Sequence, residues 1–272
     1  MVTAQRLRAD IERLKVLSSL QRTIPDDRVK FAHAVGIEEP DPWQERLLRS
    51  EAQRILLNIT RQGGKSSMAG LLALHGALSV PDSLTLILAP AERQAKETFS
   101  KAAMYYHALG HPVPADSYRK LGVELANGSR IEALPGTEKT VRGFSGVDLL
   151  ILDEASRVDD GLYYAVRPML AVSRGRLLML TTPYGKRGVF YEEWTSGHGW
   201  ERYEVPATEC PRISPEFLEE EREALPSWVY RQEYECSFEE TEDVVFTYEM
   251  VERAASSEVA PLFGEASEGI GA

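Results

Sequence analysis

Thr60-Arg61-Gln62-Gly63-Gly64-Lys65-Ser66 follows the apolar run Ile55-Leu56-Leu57-Asn58-Ile59 and precedes a helical pattern that starts near Ser66. A strand, a tight glycine turn and a Lys-Ser pair opening a helix is how chains hold the phosphates of a nucleoside triphosphate. Backbone N–H groups of the turn cradle the phosphates, and the helix N-terminus adds its partial positive charge. In such a loop Lys65 reaches the β- and γ-phosphates and the Ser66 hydroxyl ligates Mg²⁺. Thr60, Arg61, Gln62, Gly63, Gly64 and Ser67 complete the expected ATP-binding stretch. The spacing departs from the usual G-x-x-x-x-G-K-[ST], because Ile59 stands where the first glycine belongs. Gly-Lys-Ser alone also fits an ordinary turn before a helix, so the reading leans on what lies downstream.

Val147-Asp148-Leu149-Leu150-Ile151-Leu152 is a second apolar run, and it ends in Asp153-Glu154. A run without alternation reads as a strand buried on both faces. Carboxylates at its C-terminal end sit where open α/β sheets bind ligands. Asp153 is expected to hold the Mg²⁺, and Glu154 to polarise the water that attacks the γ-phosphate. A strand ending in solvated charges is the bland alternative, and the order of the two motifs weighs against it. A third run, Arg176 to Leu180, ends in Thr181-Thr182-Pro183. Its hydroxyls are placed to contact the γ-phosphate and report hydrolysis; the plainer reading is a strand end stopped by Pro183. Upstream, Trp43 could stack on adenine while the Gln44 amide reads its edge, although a core Trp and a surface Gln explain the pair almost as well.

Strands at 54–59, 84–89, 147–152 and 176–181 alternate with helices at 65–79, 92–109 and 160–170. That alternation predicts an α/β fold with a mostly parallel sheet flanked by helices, and together with Lys65-Ser66 and Asp153-Glu154 it predicts a P-loop ATPase with a catalytic Glu. Residues 119–134 interrupt it. Val123 to Ala126 and Ser129 to Ala133 flank Asn127-Gly128, which predicts an antiparallel hairpin on a type I′ turn. Helical patterns near 215–224 and 227–235 predict a small C-terminal lid able to convert its closure into movement. The chain is therefore expected to comprise an N-terminal helical segment (1–40, with a helix at 3–17), the ATPase core (41–206), the helical lid (207–250) and a Ser- and Gly-containing linker (251–272).

Together these motifs resemble the ATPase domain of the large terminase subunit of tailed bacteriophages and related viruses. The resemblance is carried by the Arg-Gln after Thr60, Leu152-Asp153-Glu154-Ala155, Thr181-Thr182-Pro183 and Trp43-Gln44. Ile213 to Glu221, Arg231-Gln232-Glu233-Tyr234 and Val245-Phe246 extend it over about residues 40–250. It implies a packaging motor that hydrolyses ATP and pushes double-stranded DNA into a capsid in the host cytoplasm. Implied partners are the portal protein, the small terminase subunit and further copies of the chain in a ring, usually of five, although the isolated chain can be a monomer. It also implies an arginine finger, for which Arg142, in Thr140-Val141-Arg142-Gly143, is the first nominee, acting across a subunit boundary, and Arg61 the second, acting in cis. Members carry a C-terminal nuclease whose metal-binding acids find no counterpart here, so DNA cleavage is not expected of this chain.

Composition narrows the remaining classes. The 272 residues carry a net charge of −11. Residues 191–272 hold 21 acids and 5 bases, whereas residues 1–190 hold 21 acids and 26 bases, so the nucleotide-binding part is mildly basic. Phosphate attraction needs local bases rather than a basic total. Arg119, Lys120, Arg130, Lys139, Lys186 and Arg187 are the DNA-facing candidates, and ordinary solvated charge accounts for them equally. Nothing in the sequence is long and apolar enough to span a membrane. Cys210 and Cys236 have no metal-binding spacing. The competing enzyme class is a helicase-like, nucleic-acid-dependent ATPase, which usually needs a second Arg-bearing domain.

Overall fold

The computed structural model describes residues 24–137, 141 and 143–240. The chain separates into two units, Met1–Glu239 and Glu240–Ala272, and every described element belongs to the first. The expected helix at 3–17, the linker at 251–272, Lys139 and Arg142 lie outside the described residues.

Two short helices, α1 (Arg28–Ala34) and α2 (Pro42–Arg49), lead into β1 (Arg54–Ile59), α3 (Lys65–Ser79), β2 (Leu84–Ala89) and α4 (Glu92–Ala108). An edge unit follows, β3 (Ala115–Arg119), β4 (Gly122–Leu125) and β5 (Arg130–Pro135). The chain then runs through β6 (Leu149–Asp153), α5 (Asp160–Val166), β7 (Arg176–Thr181), α6 (Gly188–Thr195) and β8 (Glu201–Val205). It closes with α7 (Pro215–Ala224) and α8 (Ser227–Tyr234).

The eight strands form one sheet in the order β3-β4-β5-β2-β6-β7-β1-β8. From β5 to β8 every pairing is parallel, and β4 and β3 add antiparallel at one edge. Strand alternation sorts the apolar side chains into two layers. Ile55, Leu57 and Ile59 join Ile87, Ile151, Leu178 and Leu180 under α3 and α4. Leu56 joins Leu86, Leu88, Leu150, Leu152 and Met179 with residues of α5 and α6 on the opposite face. Burial on both faces is why these runs lack alternation.

At Gly70, α3 meets α4 so closely that a Cβ would stand 2.8 Å from the Ala102 backbone nitrogen. The order β2-β6-β7-β1 places β7 between the phosphate-loop strand and the acidic strand. The C-terminal ends of β1, β6 and β7 therefore open onto one crevice, the usual ligand position in such sheets.

The hairpin stands as β4 and β5, with two differences from expectation. Strand β5 also pairs parallel with β2 and so belongs to the main sheet. The turn is not type I′: Gly128 has φ +86° while Asn127 is not among the positive-φ residues. Gly128 N donates to Leu125 O at 2.9 Å and Leu125 N to Ser129 O at 2.9 Å, the pattern of a type I turn closed by a glycine bulge. The Asn127 side chain explains the choice, since its Nδ2 donates to Ala77 O at 2.9 Å and its Oδ1 accepts from Ser129 N at 3.1 Å. The helix expected at 160–170 ends at Val166 and tightens into a 3₁₀ turn over Arg167–Leu170, because Pro168 cannot donate and crowds the preceding turn.

Candidate functional site

Ile59 explains the missing first glycine. It is fully buried at the end of β1 and packs in the core, so the bend starts one residue later. The two glycines that remain are required. A Cβ on Gly63 would stand 2.6 Å from Ile59 Cγ2, and Gly64, with φ +93°, caps α3 in the left-handed region. The first amides of α3 have no intrahelical partner.

Lys65, only 8% exposed, donates from Nζ to Thr182 Oγ1 at 3.0 Å. Thr182 Oγ1 in turn donates to Ile59 O at 3.3 Å, tying the tip of β7 to the end of β1. Thr181 takes another part: its hydroxyl lies 2.6 Å from Ser156 Oγ and donates to Thr182 O at 2.8 Å. Ser156 sits in the turn just after Glu154, so the two threonines link the loop lysine to the acidic strand.

Ser66 Oγ donates to Asp153 Oδ2 at 3.4 Å, and the Thr98 hydroxyl of α4 donates to the same oxygen. Asp153 Oδ1 accepts from Glu154 N at 2.9 Å. Burial pushes the Asp153 carboxyl up to about 6; the Thr98 bond opposes this, Glu154 adds to it and Lys65 offsets part of it. A buried carboxylate hydrogen-bonded by hydroxyls and one amide is a hard-oxygen set that suits Mg²⁺, so the residues present fit that ion. Glu154 adopts φ +53°, a conformation costly for a side-chain-bearing residue and concentrated at functional sites. Ser67 lies in the first turn of α3, with its side chain toward the Tyr105 hydroxyl of α4.

Beside the loop, Trp43 departs from its expected role. It is 7% exposed, sits in the core and leaves its indole N–H without a partner. Gln44 remains at the loop: its Oε1 accepts from Asp41 N at 3.0 Å, and its Nε2 is 3.0 Å from where a Cβ on Gly64 would stand. Arg61 Nε lies 2.5 Å from Glu233 Oε2 of α8, an ion pair without hydrogen-bond alignment, with the Arg side chain 65% exposed. Two of the DNA-facing candidates are already paired, Arg119 with Glu132 at 2.6 Å and Lys120 with Glu92 at 2.8 Å.

Three features escape sequence reading. Thr98 and Arg212 belong to no loop motif. Arg212 donates from Nη1 and Nη2 to the two oxygens of Asp41 at 2.9 and 2.7 Å, and from Nη2 to Gly63 O at 3.3 Å. The end of α8 and the residues just after it also fasten β1 and the loop: Asn58 Nδ2 donates to Cys236 O at 2.8 Å and Thr60 Oγ1 to Glu233 O at 2.8 Å.

A parallel sheet with a strand inserted between the phosphate-loop strand and the acidic strand, and a Lys-Ser helix start facing Asp153, define a P-loop nucleotide-binding fold. The family is equally plain. Residues 56–253 match the terminase large subunit, T4likevirus-type, N-terminal family, and the chain belongs to it. It is 27% identical over 84% of its length to the large terminase subunit of Thermus virus P23-45, and 27% identical over 69% to that of Escherichia phage T5. It spans about half the length of these relatives, 54% and 44% respectively.

Among solved structures, the large terminase ATPase domain of Thermus phage P74-26 matches with a TM-score of 0.69 and 24% identity, covering 79% of this chain and 99% of that one. The HK97 bacteriophage large terminase matches with a TM-score of 0.59 and 19% identity, covering 74% and 51%. The large terminase of a thermophilic bacteriophage in complex with ADP matches with a TM-score of 0.59 and 9% identity, covering 78% and 53%. These likenesses show a shared fold. No helix among the described residues is long and apolar enough to cross a membrane.

Proposed function

We propose that this chain binds and hydrolyses ATP, and that turnover drives double-stranded viral DNA into a capsid as the ATPase part of a large terminase. The observation that carries the reading is the convergence of Lys65, Ser66, Asp153 and Thr182 from three separate stretches of chain within hydrogen-bond reach. The thermophilic-phage terminase in complex with ADP supports a nucleotide as the ligand.

In this reading the loop amides and Lys65 hold the β- and γ-phosphates. Ser66 and Asp153 would hold Mg²⁺, which when bound neutralises charge on the phosphate oxygens. Glu154 polarises the attacking water. Phosphate draws the Lys65 ammonium from Thr182, and the freed Thr182 relays that exchange through Thr181 and Ser156. The helical segment 207–250 acts as the lid of a core spanning 41–206, and Arg61 exchanges Glu233 for phosphate. Arg142 completes a neighbour's site in a ring seated on the portal, with the small terminase subunit as a further partner, in the host cytoplasm.

The test is ATP hydrolysis against protein concentration, with and without duplex DNA. Specific activity that rises with concentration supports a site completed between subunits. Flat activity well above background moves the finger to Arg61 and favours the helicase-like class. Nucleotide binding without hydrolysis at any concentration refutes the enzyme reading and leaves a nucleotide-gated scaffold.

A further inference from the structure

A loop that holds phosphates must also place the base. Lys65, Thr182 and Asp153 mark the end of the loop where the γ-phosphate is expected. The face of Gly64 is closed instead by Gln44 Nε2 and Arg212 Nη2, 3.0 and 3.8 Å from the Cβ position that glycine leaves empty. The aromatic platform expected there, Trp43, is in the core. Arg212 lies on the segment between β8 and α7 and reaches the loop from 149 residues away.

The guanidinium is fixed in orientation. Its bidentate pair with Asp41 is short, and Asp41 is 5% exposed at the head of α2. The third bond, to Gly63 O, ties it to the loop. Yet half of the side chain is exposed. Five other arginines, at 46, 157, 167, 187 and 222, lie over tyrosine rings of this chain, and Arg212 lies over none among the described residues. A planar cation held flat, open on one side and adjacent to a phosphate loop has the chemistry of a stacking surface for a purine.

We infer that Arg212 is the base platform of this nucleotide site, oriented by Asp41, with the Gln44 amide at the base's edge. The inference rests on the nucleotide reading of the phosphate loop and adds the residue that selects for a base. Because Arg212 precedes α7, base occupancy also anchors the start of the C-terminal helical segment.

The test separates base from phosphate. Binding of Mg·ADP and of Mg·pyrophosphate is measured calorimetrically for the wild type, Arg212→Ala and Arg212→Lys. Arg212→Ala is expected to weaken ADP roughly tenfold and to leave pyrophosphate unchanged. Arg212→Lys keeps the charge without the plane and is expected to lose nearly as much. Unchanged pyrophosphate binding also reports a folded loop. A parallel loss of both ligands would make Arg212 a phosphate contact or a prop for the loop and overturn the platform, as would full ADP affinity in Arg212→Lys. A wild type that binds pyrophosphate and not ADP would also overturn it, while one that binds neither would overturn the nucleotide reading itself.

Discussion

Thr182→Val removes the hydroxyl that accepts from Lys65 Nζ at 3.0 Å and keeps nearly the same shape. Both residues are buried, so the ammonium loses its hydrogen-bond partner where water reaches it poorly. A hydrogen bond to a charged group contributes about 1.5–3 kcal/mol; the longer bond to Ile59 O adds little. A loss of about 2 kcal/mol lowers the melting temperature of a domain this size by roughly 4–8 °C. Saturating nucleotide returns a partner to Lys65, so the gap between variant and wild type should narrow. By linkage the variant should bind Mg·ADP at least as tightly as wild type, up to about 30-fold tighter if the whole loss is recovered. Thermal unfolding with and without Mg·ADP reads both quantities. A variant that melts with the wild type, or whose deficit is the same with and without nucleotide, refutes the idea that Thr182 holds the lysine in reserve.

Glu154→Gln should bind nucleotide with wild-type affinity and slow hydrolysis by about 10²–10⁴; single-turnover rates check it, and a variant within a few-fold of wild type removes Glu154 as the water's base. His75 packs edge-on against Phe31, with its Nε2 3.0 Å from Pro25 O. Burial holds its imidazole below the usual value, the Pro25 and Asp26 groups oppose that and Arg28 adds to it. The unfolded chain therefore takes the proton first, so the stability from neutral His75 is full above about 6.5 and is lost as pH falls through it. His75→Gln should flatten the fall in melting temperature between neutral pH and pH 5, and parallel curves would exclude this origin. Burial pushes the Cys236 thiol up to about 12. Native protein at pH 8 should thus resist alkylation at Cys236 until it unfolds, and rapid native labelling mapped to that residue would contradict its buried seat against Val205.

The loop and sheet core were legible because their signals are local. All-apolar runs, glycine punctuation and acids at strand ends place β1, α3, β2, β6 and β7 within a residue or two. Strand β3 gave no such signal, because an edge strand exposed on both faces has no apolar period. Asn127-Gly128 misled on turn type because the Asn side chain had a better use, bonding Ala77 and Ser129. Trp43 was ambiguous for a sound reason, since an aromatic at a helix's apolar position serves core or ligand equally well, and here the core took it. Thr98 and Arg212 were illegible because each acquires meaning only from a distant partner, Asp153 or Asp41, that folding brings alongside.

The strap formed by Glu233 and Cys236 has a consequence for how the protein is made. Asn58 and its acceptor on Cys236 are 178 residues apart in the chain, and the glycine turn can be threaded long before that acceptor exists. At about 5–20 residues per second, the nascent phosphate loop waits roughly 9–36 s for the carbonyls that fasten it. During that interval the side chains of Asn58 and Thr60 lack their final partners. The glycine loop is thus among the last parts of the domain to be completed on the ribosome, although its signature is among the first to be translated.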